Sequence, residues 1–306
     1  MSAMYLQHFG LKEAPFALTP NAEYFLNVQG YQEGLNVLQV GLENCDSFMK
    51  VTGEVGTGKT LLCRKLIAGL GEKYHLVYLR SPCSTDIDLF CAVALALHIP
   101  DALQMPRATL LTAIDAKLSN IHQQGKRCIL LVDEAQAMSL KALEALRFLS
   151  SAEGESEQIQ IILFGQPELN VKLASPKLRQ LRQRIVFSYH LNPMDRHSVG
   201  LYIHHRLFVA GYQGDVLFSP KSLDLMYQAT RGVPRLVNII GHKALMVAFG
   251  RGSSKVVEAH VKRAIDDTEQ VHRSFGYTLK PEVVQLGVAI LAVCTLGVYL
   301  YQQLSF

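Results

Sequence analysis

Apolar residues fall into two alternating periods along the chain. Runs at 48–52 (FMKVT), 75–79 (HLVYL), 128–132 (CILLV), 159–164 (IQIILF) and 185–191 (IVFSYHL) have the length and content of strands. Between them, 61–70, 89–97, 110–121 and 140–149 place apolar residues at helical spacing, as at Leu62, Leu66 and Leu70. The unbroken run at 128–132 fits a strand covered on both faces, at the centre of a parallel sheet. This alternation predicts a parallel α/β sheet over 47–192. After Pro193 the strand pattern stops. Segments 195–210, 220–230, 234–249 and 256–271 read as helices, with Ser219-Pro220 as a start signal and Gly250 and Gly252 as a stop. They predict a helical domain over 193–275. The segment 1–46 is expected to pack on the sheet-containing core.

The end of the sequence is different in kind. From 283 to 306 there is no charged side chain, and 283–301 is almost purely apolar, Gly and Ala. As a helix it would span about 28 Å, close to the roughly 30 Å hydrocarbon core of a bilayer. Tyr299 and Tyr301 stand where interfacial aromatics stand. Lys280, Arg273 and Arg263 precede the segment and no Lys or Arg follows it, which puts the large N-terminal part on the cytoplasmic side. The expectation is a single transmembrane helix. A buried or partner-facing helix is the alternative, because Gln285, Cys294 and Thr295 dilute the run.

Composition narrows the classes. A chain of 306 residues suggests about two domains and can bury a sizeable core. With 49% apolar and 18% charged residues it is neither disordered nor a coiled coil. Its net charge of +4 is too small to argue for nucleic acid by itself. The 6 cysteines show no paired spacing, so neither a disulfide framework nor a zinc module is expected, and reduced thiols are the simplest reading. The opening MSAMYLQHFGLKEAPF has no basic stretch followed by an apolar run, and no signal peptide is expected.

One turn carries recognisable chemistry. Gly53-Glu54-Val55-Gly56-Thr57-Gly58-Lys59-Thr60 matches G-x-x-x-x-G-K-[ST] in full, after a strand and at the opening of a helix. Glycines let main-chain N–H groups turn inward around an anion, and the helix N-terminus adds partial positive charge at the same point. Lys59 is expected to reach the β- and γ-phosphates of ATP, and the Thr60 hydroxyl to take a place on Mg²⁺. A Gly-rich surface turn is the bland alternative. The second half of such a site must supply acid. The strand 128–132 ends in Asp133-Glu134, 73 residues after Thr60 with one strand between. Adjacent side chains at a strand end point to opposite faces, so the two acids need different tasks. Asp133 is expected in the Mg²⁺ shell, directly or through water, and Glu134 as the base that polarises the attacking water. Alternatively the pair caps the helix near Leu140.

GEVGTGKT, LLVDEAQ, LFGQPEL, LRQRI and GVPRLVN, in that order, resemble an AAA+ ATPase. The opening MYLQHFGLKEAPFALTPNAEYFL is similar to the ExeA, or general secretion pathway protein A, branch, and within it to short members that serve MSHA-type (type IV) pilus biogenesis. The resemblance covers about residues 1–275. It implies a P-loop AAA+ core with sheet order 5-1-4-3-2, an all-α lid, and ATP with Mg²⁺ as cofactors. It also implies three roles. Gln166 takes the sensor-1 position, with Gln where many relatives carry Asn, Thr or Ser. Arg235 matches the sensor-2 arginine. Arg184 matches the arginine finger that acts on a neighbouring copy's ATP, with Arg179 and Arg182 as close rivals. The implied protein is a homo-oligomer at the inner membrane, acting on pilus or secretion assembly components. Longer members carry a peptidoglycan-binding domain that is not expected here. Two competing functions share the core: a nucleic-acid-associated regulator of the transposition ATPase type, and a scaffold that uses ATP only to assemble. The first finds no use for 283–301, so nucleic acid is not expected as a partner, and the intact Glu134 and Lys59 argue against the second.

Other signals weigh less. His197, His204 and His205 are expected on a packed or solvated helix face rather than on a metal. The basic run 172–184 fits subunit contact as well as nucleic acid. Tyr24, Phe25 and Tyr31 could wall an adenine, but core packing explains each as well or better. Cys63 and Cys128 read as small buried apolar residues.

Overall fold

Five parallel strands form the sheet of this computed structural model, which describes residues 2–19, 21–44, 48–80, 83–150 and 159–269. The strands are β1 (Phe48–Thr52), β2 (Tyr74–Leu79), β3 (Arg127–Val132), β4 (Ile159–Gly165) and β5 (Ile185–His190). Their spatial order is β2-β3-β4-β1-β5, which is the expected 5-1-4-3-2 read from the other edge. β4 is buried at every position and β3 at all but Arg127, as their continuous apolar runs require of central strands.

Strand side chains alternate between two cores. Leu130, Val132, Ile161 and Leu163 face one layer of helices: α4 (Asp86–Ala96), α5 (Arg107–Gln123), α6 (Leu140–Leu149) and α7 (Glu168–Leu173). Ile129, Leu131, Ile162 and Phe164 face the other, made of α2 (Gln29–Glu43) and α3 (Lys59–Gly69). The result is a three-layer α/β/α core. Local chemistry sets the helix starts. Thr85 caps α4 in a reciprocal capping box with Asp88, and the Ser139 hydroxyl caps α6 by accepting from the Ala142 N–H at 3.1 Å. Asp133 and Glu134 therefore do not cap that helix. A short helix α8 (Arg179–Arg184), not anticipated, leads into β5.

Beyond β5 the described chain is helical: α9 (Arg196–Val209), α10 (Pro220–Thr230), α11 (Pro234–Gly250) and α12 (Glu258–Asp266). Ser219 caps α10 with Pro220 at its first position, as expected. The last helix starts later than 256 because Val256 is held in a bridge to Phe218. The N-terminal segment, expected on the core, is divided. Its helix α1 (Ser2–Phe9) sets Tyr5 against His242 of α11, with ring centroids 5.7 Å apart, whereas α2 lies on the sheet. Residues Met1–Ala264 form one compact unit; the second, Ile265–Phe306, is described only through 269. The segment 283–301 lies outside the described residues, and among those described no helix is long and apolar enough to cross a membrane.

Candidate functional site

The strand order decides which chain segments can meet. β4 lies between β3 and β1, so the residue after β4, Gln166, emerges between the turn after β1 and the acids after β3. All three lie at the carboxyl ends of parallel strands, where open α/β sheets bind ligands.

The turn after β1 is the Gly-rich one. Gly58 caps α3 at φ +96°, and a Cβ there would lie 2.2 Å from the Tyr31 hydroxyl oxygen. A larger residue would have to displace the Tyr31 ring and hold a left-handed backbone. Lys59 is buried, and its Nζ donates to the carbonyls of Gly53 at 2.7 Å and Glu54 at 2.8 Å. Burial lowers the Lys59 pKa from its ordinary value, against the pull of the Glu134, Asp133 and Glu54 carboxylates. Thr57 Oγ1 donates to the Glu54 carbonyl at 2.9 Å and closes the turn.

The acids separate as the strand-end argument requires. Asp133 is buried and takes the Thr60 hydroxyl on Oδ2 at 3.0 Å and the Tyr78 hydroxyl at 3.3 Å. Burial, with Cys63 and Asp133 nearby, pushes the Tyr78 hydroxyl up to about 12. Glu134 points elsewhere. Its residue is left-handed, φ 55°, and its Oε2 accepts from the Gln166 Nε2 at 3.2 Å and from Gln136 Nε2.

A cavity of about 400 Å³ joins these groups, within the size range of small-molecule sites. Val55, Gly56, Gly58, Lys59, Thr60, Glu134, Gln166 and Arg235 all line it. Gly53, Glu54 and Thr57 shape the loop behind it, and Asp133 stands behind Thr60. Arg235 sits in the first turn of α11, and its N–H donates to the Gly56 carbonyl at 3.3 Å, tying the helical layer to the loop. Arg184 is not in the cavity. Its exposed guanidinium donates to Ser150 Oγ at 2.7 Å.

Several wall residues escaped the sequence reading. The N-terminal segment contributes Ala17, Leu18, Thr19 and Asn21, and α9 contributes Tyr202 and Arg206. Arg206 is buried. It donates to Pro15 O, to Ala17 O at 3.1 Å and to the Tyr202 hydroxyl at 2.8 Å, and lies over the Tyr24 ring at 4.5 Å. A signal was present: Val199, Tyr202, Ile203 and Leu207 form the buried stripe of α9, and Arg206 occupies a slot in that stripe. Tyr24 and Tyr31 line the cavity, whereas Phe25 packs on the Tyr31 ring with centroids 5.4 Å apart. The Tyr31 hydroxyl donates to the Thr57 carbonyl at 2.5 Å, and burial pushes its pKa up.

A phosphate-binding turn, a hydroxyl–carboxylate pair and a second carboxylate beside an amide, all on one parallel sheet with a helical layer over the turn, define a P-loop ATP hydrolase of the AAA class. A family profile described as "AAA domain" matches residues 44–173. The chain is 40% identical over 263 residues to general secretion pathway protein A of Aeromonas hydrophila, covering 85% of this chain and 48% of that protein. It thus spans about half the length of that relative. In structure it is similar to the Aeropyrum pernix ORC2 protein, with a TM-score of 0.61 and 17% identity over 82% of this chain and 71% of that one. It is equally similar to Cdc6p from Pyrobaculum aerophilum, with a TM-score of 0.61 and 16% identity over 82% and 69%. These two likenesses are of fold alone. The chain belongs to the general secretion pathway protein A family of AAA+ ATPases.

Proposed function

We propose that this chain is a membrane-anchored ATPase that hydrolyses ATP with Mg²⁺ to support assembly of an MSHA-type (type IV) pilus or a related secretion apparatus. The observation that carries the enzymatic half is the convergence of Lys59, Thr60, Glu134, Gln166 and Arg235 on one cavity. Lys59 exchanges its two loop carbonyls for the β- and γ-phosphates. The Thr60 hydroxyl and Asp133 carboxylate are hard oxygen donors 3.0 Å apart and suit Mg²⁺. Bound there, Mg²⁺ neutralises phosphate charge. Glu134 takes a proton from the attacking water, and the Gln166 amide, bonded to that carboxylate, orients base and water. Arg235 reads the γ-phosphate, and its main-chain bond to Gly56 passes the nucleotide state to the helical layer. Arg184 serves a neighbouring copy in a homo-oligomer, with Arg179 and Arg182 on the same helix as alternatives.

The anchoring half rests on the 283–301 pattern and the positive charge that precedes it. It supports a location of the ATPase on the cytoplasmic side of an inner membrane. The secretion partner follows from the relative's name, general secretion pathway protein A.

Turnover measured with and without Mg²⁺, on the unmutated chain and on Glu134→Gln, tests the enzymatic half. A fall of at least about 10²-fold in Glu134→Gln with nucleotide binding retained is expected. Hydrolysis by Glu134→Gln at the unmutated rate refutes the base assignment. A folded protein without nucleotide affinity refutes the whole reading. Fractionation of the full chain against one ending at Lys280, with pilus output scored in both, tests the anchor. Duplex-DNA binding with a steep salt dependence would favour the nucleic-acid regulator instead.

A further inference from the structure

We propose that Gln136 is a positioning residue for the hydrolytic base: its side-chain amide bridges the Glu134 carboxylate to the main chain of Gln166 and so holds the carboxylate for attack. This rests on the assignment of Glu134 as base.

Gln136 lies in a short 3₁₀ turn, Ala135–Ala137, directly after Glu134, and is half-buried. Its Oε1 accepts from the Gln166 backbone N–H at 3.0 Å. A main-chain N–H can only donate, so this end of the amide is the oxygen. The other end is then the NH₂ group, and it donates to Glu134 Oε2. The fold, not a free choice of rotamer, decides which way the amide faces. Space for it comes from Gly165, where a Cβ would lie 3.2 Å from Gln136 Oε1.

Two amides converge on one oxygen. Gln136 and Gln166 both donate to Glu134 Oε2. Among the described residues none donates to Oε1, which is left to accept a proton from water. The main chain is pinned as well. Lys172 of α7 donates to the Gln136 carbonyl at 2.5 Å and to the Met138 carbonyl at 2.7 Å. Glu134 has φ 55°, a strained value for a residue with a side chain, and such conformations persist where the surroundings over-determine them. The bonds to residue 136 supply that constraint.

Gln136→Glu is the discriminating variant. It keeps the length of the side chain and an oxygen for the Gln166 N–H. It replaces the donor facing Glu134 with a like charge. The bond from the Gln166 N–H is preserved by this change, and the donor that positions the base is not. The expected result is a kcat reduced at least about tenfold, with KM and nucleotide Kd within about threefold of the unmutated values. Unmutated kcat in a folded Gln136→Glu protein overturns the proposal, as does a loss confined to KM. Gln136→Met, which removes both amide bonds at similar volume, serves where Gln136→Glu does not fold, with the same expectation. In a Glu134→Gln background, Gln136→Met is expected to add less than about twofold, because the two act through one group. A full multiplicative loss there overturns the proposal. If Glu134→Gln itself turns over normally, the base assignment falls and this proposal with it. If Glu134→Gln is inactive while both Gln136 variants are normal, this proposal alone falls.

Discussion

Gly232 is the turn on which the nucleotide-facing end of α11 depends, and replacing it with alanine separates two physical costs. Its φ is +77°, and an added Cβ would lie 1.8 Å from the Met194 carbonyl oxygen. Ordinary carbon–oxygen contact is about 3.3 Å, so roughly 1.5 Å of separation is required. The opposing atom is main chain, and it cannot swing aside as a side chain would. The Met194 N–H also donates to the Gly232 carbonyl at 3.0 Å, and the Gly232 N–H to Thr230 Oγ1 at 3.2 Å, so separation breaks pairing as well. Left-handed backbone costs alanine about 1–2 kcal/mol, and two lost hydrogen bonds about 2 kcal/mol more. The sum is about 3–4 kcal/mol. Gly252 supplies the control. Its φ is +64°, but nothing lies within 4 Å of an added Cβ, so Gly252→Ala carries only the conformational cost of about 1–2 kcal/mol. Urea unfolding of both variants measures the difference, expected at about 2 kcal/mol. Gly232→Ala should also lower ATP turnover, because Arg235 follows three residues later, while Gly252→Ala should not. Equal destabilisation by the two variants would refute the assignment of the excess to the Met194 carbonyl.

Arg206→Met leaves the Pro15 and Ala17 carbonyls without their donor and should cost about 3 kcal/mol, read as a lower urea midpoint and faster proteolysis within 10–28; unchanged stability would show that those bonds carry nothing. Tyr31→Phe removes the 2.5 Å bond to the Thr57 carbonyl, and a severalfold weaker ATP affinity by calorimetry is expected, about 1 kcal/mol. Burial pushes the Cys63 and Cys128 thiols up to about 12 from an ordinary 9.0. Between those values the native chain keeps protons that the unfolded chain releases, so this stabilisation is complete below pH 9 and falls as pH rises through the window. The urea midpoint should drop above pH 9 in the unmutated chain and drop less in a Cys63→Ala/Cys128→Ala variant.

Much of the core was legible because its signals are local. The runs at 128–132 and 159–164 are apolar at nearly every position, and each proved to be a central strand. Ser219-Pro220 marked a helix start because a capping hydroxyl and a fixed φ act within one turn. Helix α2 was missed for a physical reason. It carries Gly30, Gly34 and Gly41, which weaken any helical reading. Yet a Cβ at Gly41 would lie 2.4 Å from Met49 Sδ, so the residue that weakens the local signal is the one that lets the helix lie on the sheet. Arg206 was passed over because a guanidinium in an apolar stripe finds its partners in a segment some 190 residues away, through Pro15 and Ala17.

By itself the sequence determined the phosphate-binding turn and the alternation of strands and helices. Both arise from contiguous residues, where glycines, a lysine and hydrophobic period act over a few positions. Only the tertiary structure decided that Gln136 and Gln166 share one oxygen of Glu134, and that Tyr31 and Arg206 bring the N-terminal segment to the cavity. Those meetings follow from strand β4 lying between β1 and β3 and from helices packing on both faces of the sheet, which long-range burial sets and no local pattern records.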